Sequence, residues 1–126
     1  MIHHGLRLVL LAGGVFAVGC SAADTAGVIA CTKEARAGIT VDVRDSVSNA
    51  LVGRNALIIA REGAVADTST DTPISDGPFS LVFERAGTYT VSVTKTGYQP
   101  WTKAGVQVTN GTCHVNAVAL TAKLQK

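Results

Sequence analysis

Apolar and polar residues alternate with a period of two along most of the chain from residue 38 onwards. The clearest run is residues 88–96, where Tyr89, Val91 and Val93 alternate with hydroxyl side chains. This pattern is typical of β-strands with one buried face. Further strands are predicted at residues 39–44, 55–61, 78–84, 106–108 and 112–124. Helical periodicity is missing from this part of the sequence, so we expect an all-β domain in which six or seven short strands form a β-sandwich.

The connections between these predicted strands are rich in turn-forming residues. Residues 68–76 read as a polar loop, and the pair Asn110 and Gly111 predicts a tight turn. Gly87 and Gly97 flank the clearest strand, and glycine permits positive φ angles at such positions. We therefore expect both glycines to adopt positive φ.

The N-terminal stretch has a different pattern. Residues 8–18 are apolar without interruption, and Arg7 is the only charged residue before Asp24. A helix of these 11 residues covers about 16 Å, half of the roughly 30 Å hydrocarbon core of a bilayer. A buried core helix is the alternative, although Gly13 and Gly14 disfavour it by about 1 kcal/mol each relative to alanine. A basic start, a short apolar run and small residues after it predict a cleaved secretory signal peptide.

The end of this apolar run carries a first resemblance. Ala17, Val18, Gly19 and Cys20 resemble the bacterial lipobox, in which cleavage occurs before a cysteine that carries acyl chains. The resemblance implies that Cys20 is the first residue of the mature protein and is anchored in a membrane by more than one chain. Because Ser21 follows instead of aspartate, similarity to lipoproteins of two-membrane bacteria implies the outer membrane. An unmodified cysteine beside an ordinary cleavage site is the alternative.

Three segments then make up the chain. Residues 1–19 form the signal peptide, residues 20–30 the lipidated N-terminus and a short tether, and residues 31–126 the folded domain. Removal of the signal peptide takes away one of 11 basic side chains and none of the nine acidic ones. The remaining net charge of about +1 indicates neither nucleic acid nor an acidic surface as a partner.

The other two cysteines form an even pair once Cys20 is assigned to lipid. Cys31 and Cys113 flank nearly the whole domain, and disulfides persist in the compartments that exported proteins reach. We expect these two residues to bond to each other, near the first and last strands. Closing a loop of about 80 residues stabilises a fold by roughly 4.5 kcal/mol if the gain is entropic. Two buried free thiols are the alternative.

Three stretches of the domain together resemble the carboxypeptidase regulatory-like domains. They are residues 39–46, residues 76–81 with their Asp-Gly-Pro-Phe step, and residues 86–98, which hold Gly-Thr-Tyr, alternating valines and a Gly-Tyr pair. The resemblance covers residues 31–124, nearly all of the predicted domain. It implies a seven-stranded Greek-key β-sandwich of the prealbumin, or transthyretin-like, type.

Residues that carry chemistry are sparse after the predicted signal peptide. His114 is the only histidine there, whereas a histidine-based zinc site uses several nitrogen or sulfur ligands. Asp67, Asp71 and Asp76 lie in one loop and offer oxygen ligands for calcium, but their spacing is irregular. We therefore expect no catalytic residue, no metal and no cofactor.

The expected function is that of a non-catalytic, membrane-anchored lipoprotein. It would act as an interaction or accessory module of the bacterial cell envelope, with an envelope protein or glycan as its partner and no role for nucleic acid. The alternative is a carbohydrate-binding domain in which Tyr98 and Trp101 form an exposed surface for stacking on sugars. The competing interpretation of these two aromatic residues is a packed rim at one end of the sandwich.

Overall fold

The computed structural model describes residues 27, 29–70 and 72–126. These residues form eight β-strands and no helix, so the predicted all-β class is confirmed. This part of the chain accordingly contains no helix that could span a membrane. The predicted signal peptide and Cys20 lie outside the described residues. The strands are β1 (Ala37–Asp45), β2 (Leu57–Glu62), β3 (Val65–Thr68), β4 (Phe79–Phe83), β5 (Gly87–Thr94), β6 (Trp101–Asn110), β7 (Val115–Asn116) and β8 (Val118–Leu124).

The strands are arranged in two sheets. One sheet has three strands in the order β4-β1-β8, and the other has five in the order β3-β2-β5-β6-β7. β1 is the central strand of its sheet, where it runs antiparallel to β4 and parallel to β8. The first and last strands of the domain are therefore neighbours, as predicted. Inward-facing residues of both sheets share one hydrophobic core, which is compatible with a β-sandwich.

The alternation of side chains along the strands explains this core. On β1, Ile39, Val41 and Val43 have no exposed surface, while the residues between them are only partly buried. On β5, the face that begins with Tyr89 is buried as predicted. Complete burial of a side chain of this size contributes about 1.5–3 kcal/mol. The core consists of Ile39, Val41, Val43, Ala56, Ile58, Ala60, Phe79, Leu81, Val82, Tyr89, Val91, Val93, Val106, Val108, Val115, Leu120, Ala122 and Leu124.

The number of strands is eight, not the expected seven. The sequence pattern does not predict β3, because three of its four residues are exposed and its only partner is β2. The predicted final strand, residues 112–124, is interrupted at Ala117 and divided into β7 and β8. β7 pairs with β6, whereas β8 pairs with β1, so this break carries the chain from one sheet to the other.

One of the two glycine predictions is wrong. Gly97 has a φ of +84°, as predicted, but Gly87 is outside the positive-φ region. A Cβ at position 87 would meet the carboxylate of Glu62 on the neighbouring strand, so a larger residue here would displace that side chain. The period-two pattern does not predict this contact, because it lies between two strands.

The predicted tight turn after β6 is also wrong. Asn110 pairs with Val115, so residues 111–114 form a four-residue loop instead of a two-residue turn. The Gly111 N–H closes this loop by donating to the carbonyl oxygen of His114 at 2.9 Å. Cys113 therefore lies in a loop and does not open a strand.

The elongated sheets give the domain two ends. β1 has nine residues, which span about 26 Å in an extended strand. The proximal end, defined as the end nearer the predicted tether, contains residues 31–36, 63–64, 84–86 and 111–114. The distal end contains residues 46–56, 69–78, 95–100 and 125–126, and it carries the longer connections between strands.

A pair of phenylalanines on β4 tests the placement of the core. Phe79 has no exposed surface, whereas Phe83 is 48% exposed. We expect Phe79→Ala to lower the free energy of unfolding by about 3–5 kcal/mol, because it removes packing and leaves a cavity. Phe83→Ala should cost about 1 kcal/mol or less. Urea unfolding followed by circular dichroism measures both values, and equal losses would contradict the sheet orientation described here.

Candidate functional site

The proximal end is closed by a disulfide bond between Cys31 and Cys113. The two Cα atoms are 5.2 Å apart, within the range that disulfides adopt, so the predicted pairing is confirmed. The bond joins the segment before β1 to the loop before β7, across 82 positions of sequence. Cys31 is exposed and Cys113 is half-buried. The bond therefore lies at the surface of the domain and is accessible to solvent.

Glu84 organises the backbone around this disulfide. Its carboxylate accepts hydrogen bonds from the backbone N–H groups of Arg36 at 2.7 Å and Val115 at 3.4 Å. In return, the Glu84 N–H donates to the Arg36 carbonyl at 3.0 Å. The bond from the Arg36 N–H is the main reason why the pKa of Glu84 is lowered, and His114 contributes further. One carboxylate thus holds the segment before β1 and the start of β7 against the end of β4.

His114 lies between Glu84 and Thr32. Its Nδ1 atom is 2.6 Å from Glu84 Oε1, and its Nε2 atom is 2.9 Å from Thr32 Oγ1. Because a carboxylate only accepts hydrogen bonds, Nδ1 carries the proton in the bond to Glu84. Sequence reasoning missed this row, since its members are 30 and 82 positions apart and no local motif joins them.

A hydroxyl, an imidazole and a carboxylate in a row also occur in hydrolase triads. Here Glu84 is engaged by two backbone N–H groups as well as by the imidazole. A nearby cleft of about 580 Å³ contains neither Thr32 nor His114 in its lining. The arrangement therefore fastens chain segments together, and the cleft does not open onto the Thr32 hydroxyl. The cleft is lined by Glu34, Ala35, Arg36, Ala37, Thr40 and Ala117.

At the distal end, Asp45 binds backbone N–H groups as Glu84 does at the proximal end. Its Oδ1 atom accepts hydrogen bonds from the backbone N–H groups of Val47 and Ser48, both at 2.9 Å. Its Oδ2 atom accepts the Tyr98 hydroxyl at 3.0 Å and lies 3.9 Å from Lys126 Nζ. The two backbone bonds, that from Ser48 first, lower the pKa of Asp45 to about 2. Asp45 therefore fixes the turn that follows β1 and links it to Tyr98.

Tyr98 and Trp101, the two residues of the predicted sugar-stacking surface, are both half-buried at the distal end. Tyr98 and Trp101 pack against the edge of the core, and Trp101 lies opposite Val93 in the ladder between β5 and β6. Lys126 Nζ lies 5.7 Å from the centre of the Tyr98 ring. Burial and the bond to Asp45 raise the pKa of Tyr98. This geometry agrees with a packed aromatic rim better than with an open surface for stacking sugars.

The exposed part of the distal end is the turn after β1. Val47 is 94% exposed at its tip. Beside it lies a depression of about 330 Å³ that is lined by Asp45, Ser46, Val47, Ser48 and Lys126. Hydroxyl groups, a lysine and an apolar side chain are thus presented together on a turn that Asp45 holds in place.

The three loop aspartates do not gather around one point as far as the structure describes them. Asp67 accepts a hydrogen bond from the Val82 N–H at 2.5 Å. Asp76 instead accepts from the Arg54 N–H at 3.1 Å and pairs with its guanidinium at 3.3 Å. Asp71 lies outside the described residues. Within residues 27, 29–70 and 72–126, no three histidine, cysteine or acidic side chains are grouped as metal ligands would be.

The chain matches no protein-family model and no curated protein.

The lowered pKa of Asp45 predicts how stability depends on pH. The folded-state pKa of about 2 lies below the ordinary value of 3.8, so ionised Asp45 stabilises the fold. This contribution is complete above the ordinary pKa and is lost as the pH falls through about 2. We expect Asp45→Asn to lower the melting temperature at neutral pH and to differ little from the wild type near pH 2.

The matched control for this experiment is Asp42→Asn. Asp42 lies on the opposite face of β1 and pairs with Arg44 at 3.4 Å near the surface. The substitution Asp42→Asn changes the net charge by the same amount as Asp45→Asn. It removes only a surface ion pair, which contributes about 0–1 kcal/mol to stability. An Asp45→Asn effect that stays constant from neutral pH to pH 2 would show that the ionised carboxylate is not what stabilises the turn.

Proposed function

We propose that this protein is a non-catalytic lipoprotein of the bacterial cell envelope that presents its distal end to an envelope partner. The observation that carries the proposal is the separation of two features along β1. The segment that leads back towards Cys20 is fastened at the proximal end by the Cys31–Cys113 bond and by Glu84. The longer connections and the exposed turn at Val47 lie at the other end, about 26 Å away.

This division suits an anchored interaction module. A lipid on Cys20 would hold the proximal end next to the membrane, since a tether of about ten residues spans only roughly 15–20 Å as a flexible coil. The distal end would then face away from the membrane, where a partner reaches it. Its most exposed apolar side chain, Val47, lies beside a lysine and two serines, so that apolar, hydrogen-bonding and charged groups are available to a partner there.

We assign the domain to the carboxypeptidase regulatory-like group with a prealbumin-like Greek-key sandwich. The support comes from the residues of the resemblance. Tyr89 is 2% exposed, and its hydroxyl donates to the Arg85 carbonyl at 3.2 Å. Phe79 has no exposed surface, and Gly97 has a positive φ. The motif residues thus have structural roles in the core and turns.

A non-catalytic role is supported by the way the polar residues are used. Glu84, His114 and Asp45 each bind a backbone group or a neighbouring side chain that closes an end of the domain. The half-burial of Tyr98 and Trp101 favours a protein partner over a glycan that stacks on aromatic rings.

The lipid anchor is tested by mass and by labelling. We expect the mature protein to begin at Cys20, to incorporate labelled palmitate and to partition with membranes, because acyl chains provide stable anchoring. Cys20→Ser should lose both the label and the membrane association. Cys113→Ser, which removes a cysteine from the folded domain, should keep both. A soluble, unlabelled protein that begins at Ser21 or Ala22 would refute the anchor.

Photo-crosslinking in intact cells tests the orientation of the binding surface. Val47 is 94% exposed at the distal end, and Ala64 is an exposed turn residue at the proximal end. With benzoyl-phenylalanine at each position in turn, we expect a discrete crosslinked species from position 47 and none from position 64. Crosslinking of equal strength at both positions, or at position 64 alone, would contradict presentation by the distal end.

A further inference from the structure

The segment before β1 is attached to the domain without any buried side chain. Residues 31–36, named the clip segment here, are all exposed, and none of them belongs to the hydrophobic core. The regular ladder between β1 and β4 begins only at Ala37. Apolar burial, which holds the strands together, therefore contributes little to the position of this segment.

Three groups of contacts hold the clip segment in place. One is the covalent bond from Cys31 to Cys113. The second is the bond between Thr32 and His114 at 2.9 Å. The third is the reciprocal pair between Arg36 and Glu84, at 2.7 and 3.0 Å. Hydrogen bonds at a water-exposed surface are easily replaced by bonds to water, so their net contribution is small.

The folded core does not depend on the clip segment for its strand pairing. β1 pairs with β4 from Ala37 and with β8 from Ile39 onwards. On the other side of the disulfide, β7 begins at Val115, which is buried in the core. Both strands that follow the two cysteines are therefore held by their own pairing and packing.

We propose that the Cys31–Cys113 disulfide is a redox-controlled clip, and that its reduction by a dithiol releases residues 31–36 while the β-domain stays folded. A thiolate of the dithiol attacks one sulfur of the bond and forms a mixed disulfide, and the second thiol of the dithiol then displaces the protein thiolate. Two electrons and two protons pass to the protein, which gains two thiols, and the dithiol becomes a disulfide. Because Cys31 is exposed, a reductant reaches the bond without unfolding the domain.

Release of the clip would change the reach of the domain. In the oxidised protein the predicted tether, residues 20–30, ends at Cys31, whereas in the reduced protein the released segment would extend it to Arg36. Six further residues extend by up to about 20 Å, which is comparable to the span of the original tether. The change in reach rests on the proposed lipid anchor at Cys20, whereas the release of residues 31–36 does not. An experiment can therefore refute either one without refuting the other.

Trypsin cleavage of the full-length protein in detergent tests the release. Lys33 and Arg36 are the two trypsin sites in the clip segment, and Arg61 and Lys103 are exposed sites on β2 and β6. We expect dithiothreitol to accelerate cleavage after Lys33 and Arg36 by at least roughly tenfold, because local opening controls proteolysis. Cleavage after Arg61 and Lys103 should change less than about twofold, and the far-ultraviolet circular dichroism should keep its β-sheet signal.

Two variants separate the covalent contact from the polar ones. The double variant Cys31→Ser, Cys113→Ser should be cleaved in the clip segment as fast as the reduced wild type, with or without dithiothreitol. Glu84→Gln should behave like the wild type while the disulfide is intact and should be cleaved faster than the wild type once it is reduced. Unchanged cleavage after Lys33 and Arg36 on reduction would overturn the proposal. Equal acceleration at all four sites would overturn it too, because the bond would then hold the whole fold.

Discussion

The structure depends on the complete burial of the inward face of one strand, β1. Ile39, Val41 and Val43 have no exposed surface, and β1 is bonded along both edges, to β4 and to β8. A strand in this position cannot shift by one residue, because the shift would turn its valines to solvent and its polar residues into the core. The two ends of β1 are thereby fixed in space, and each end carries one of the two polar clusters described above.

Carboxylates accept hydrogen bonds from backbone N–H groups near the places where strand pairing stops. Asp45 binds the backbone N–H groups of the turn after β1, and Glu84 binds those of Arg36 and Val115. Asp67 accepts from the Val82 N–H between the two sheets. Each bond satisfies a backbone donor, and an ionised acceptor makes such a bond stronger than a neutral one. The lowered pKa values of Asp45 and Glu84 are a consequence of this structural use.

The sequence predicts those parts of the fold that depend on regular patterns. Alternating apolar residues identify β1 and β5, since every second side chain of these strands enters the core. The count of cysteines identifies the Cys31–Cys113 pair. β3 escapes prediction because it is mostly exposed and held by a single neighbour, so burial leaves no mark on its sequence.

The polar cluster at the proximal end escapes prediction for a different reason. Thr32, Glu84 and His114 come from three separate parts of the chain, and they meet only because β1, β4 and β7 end at the same place. The contact between Gly87 and Glu62 is similar, because it depends on the pairing of β5 with β2. Contacts of this kind follow from the topology of both sheets, which brings together segments that are distant in the sequence.

The disulfide acts on two states of the chain in different ways. In the unfolded chain it closes a loop across 82 positions, and this restriction accounts for the stabilisation of roughly 4.5 kcal/mol expected on the entropic view. In the folded chain it holds only a short exposed segment, because the 18 core residues pack without it. Reduction therefore makes unfolding easier without removing a single core contact. The reduced domain is held by the core alone, whose buried side chains contribute about 1.5–3 kcal/mol each and offset the conformational entropy of the freed chain.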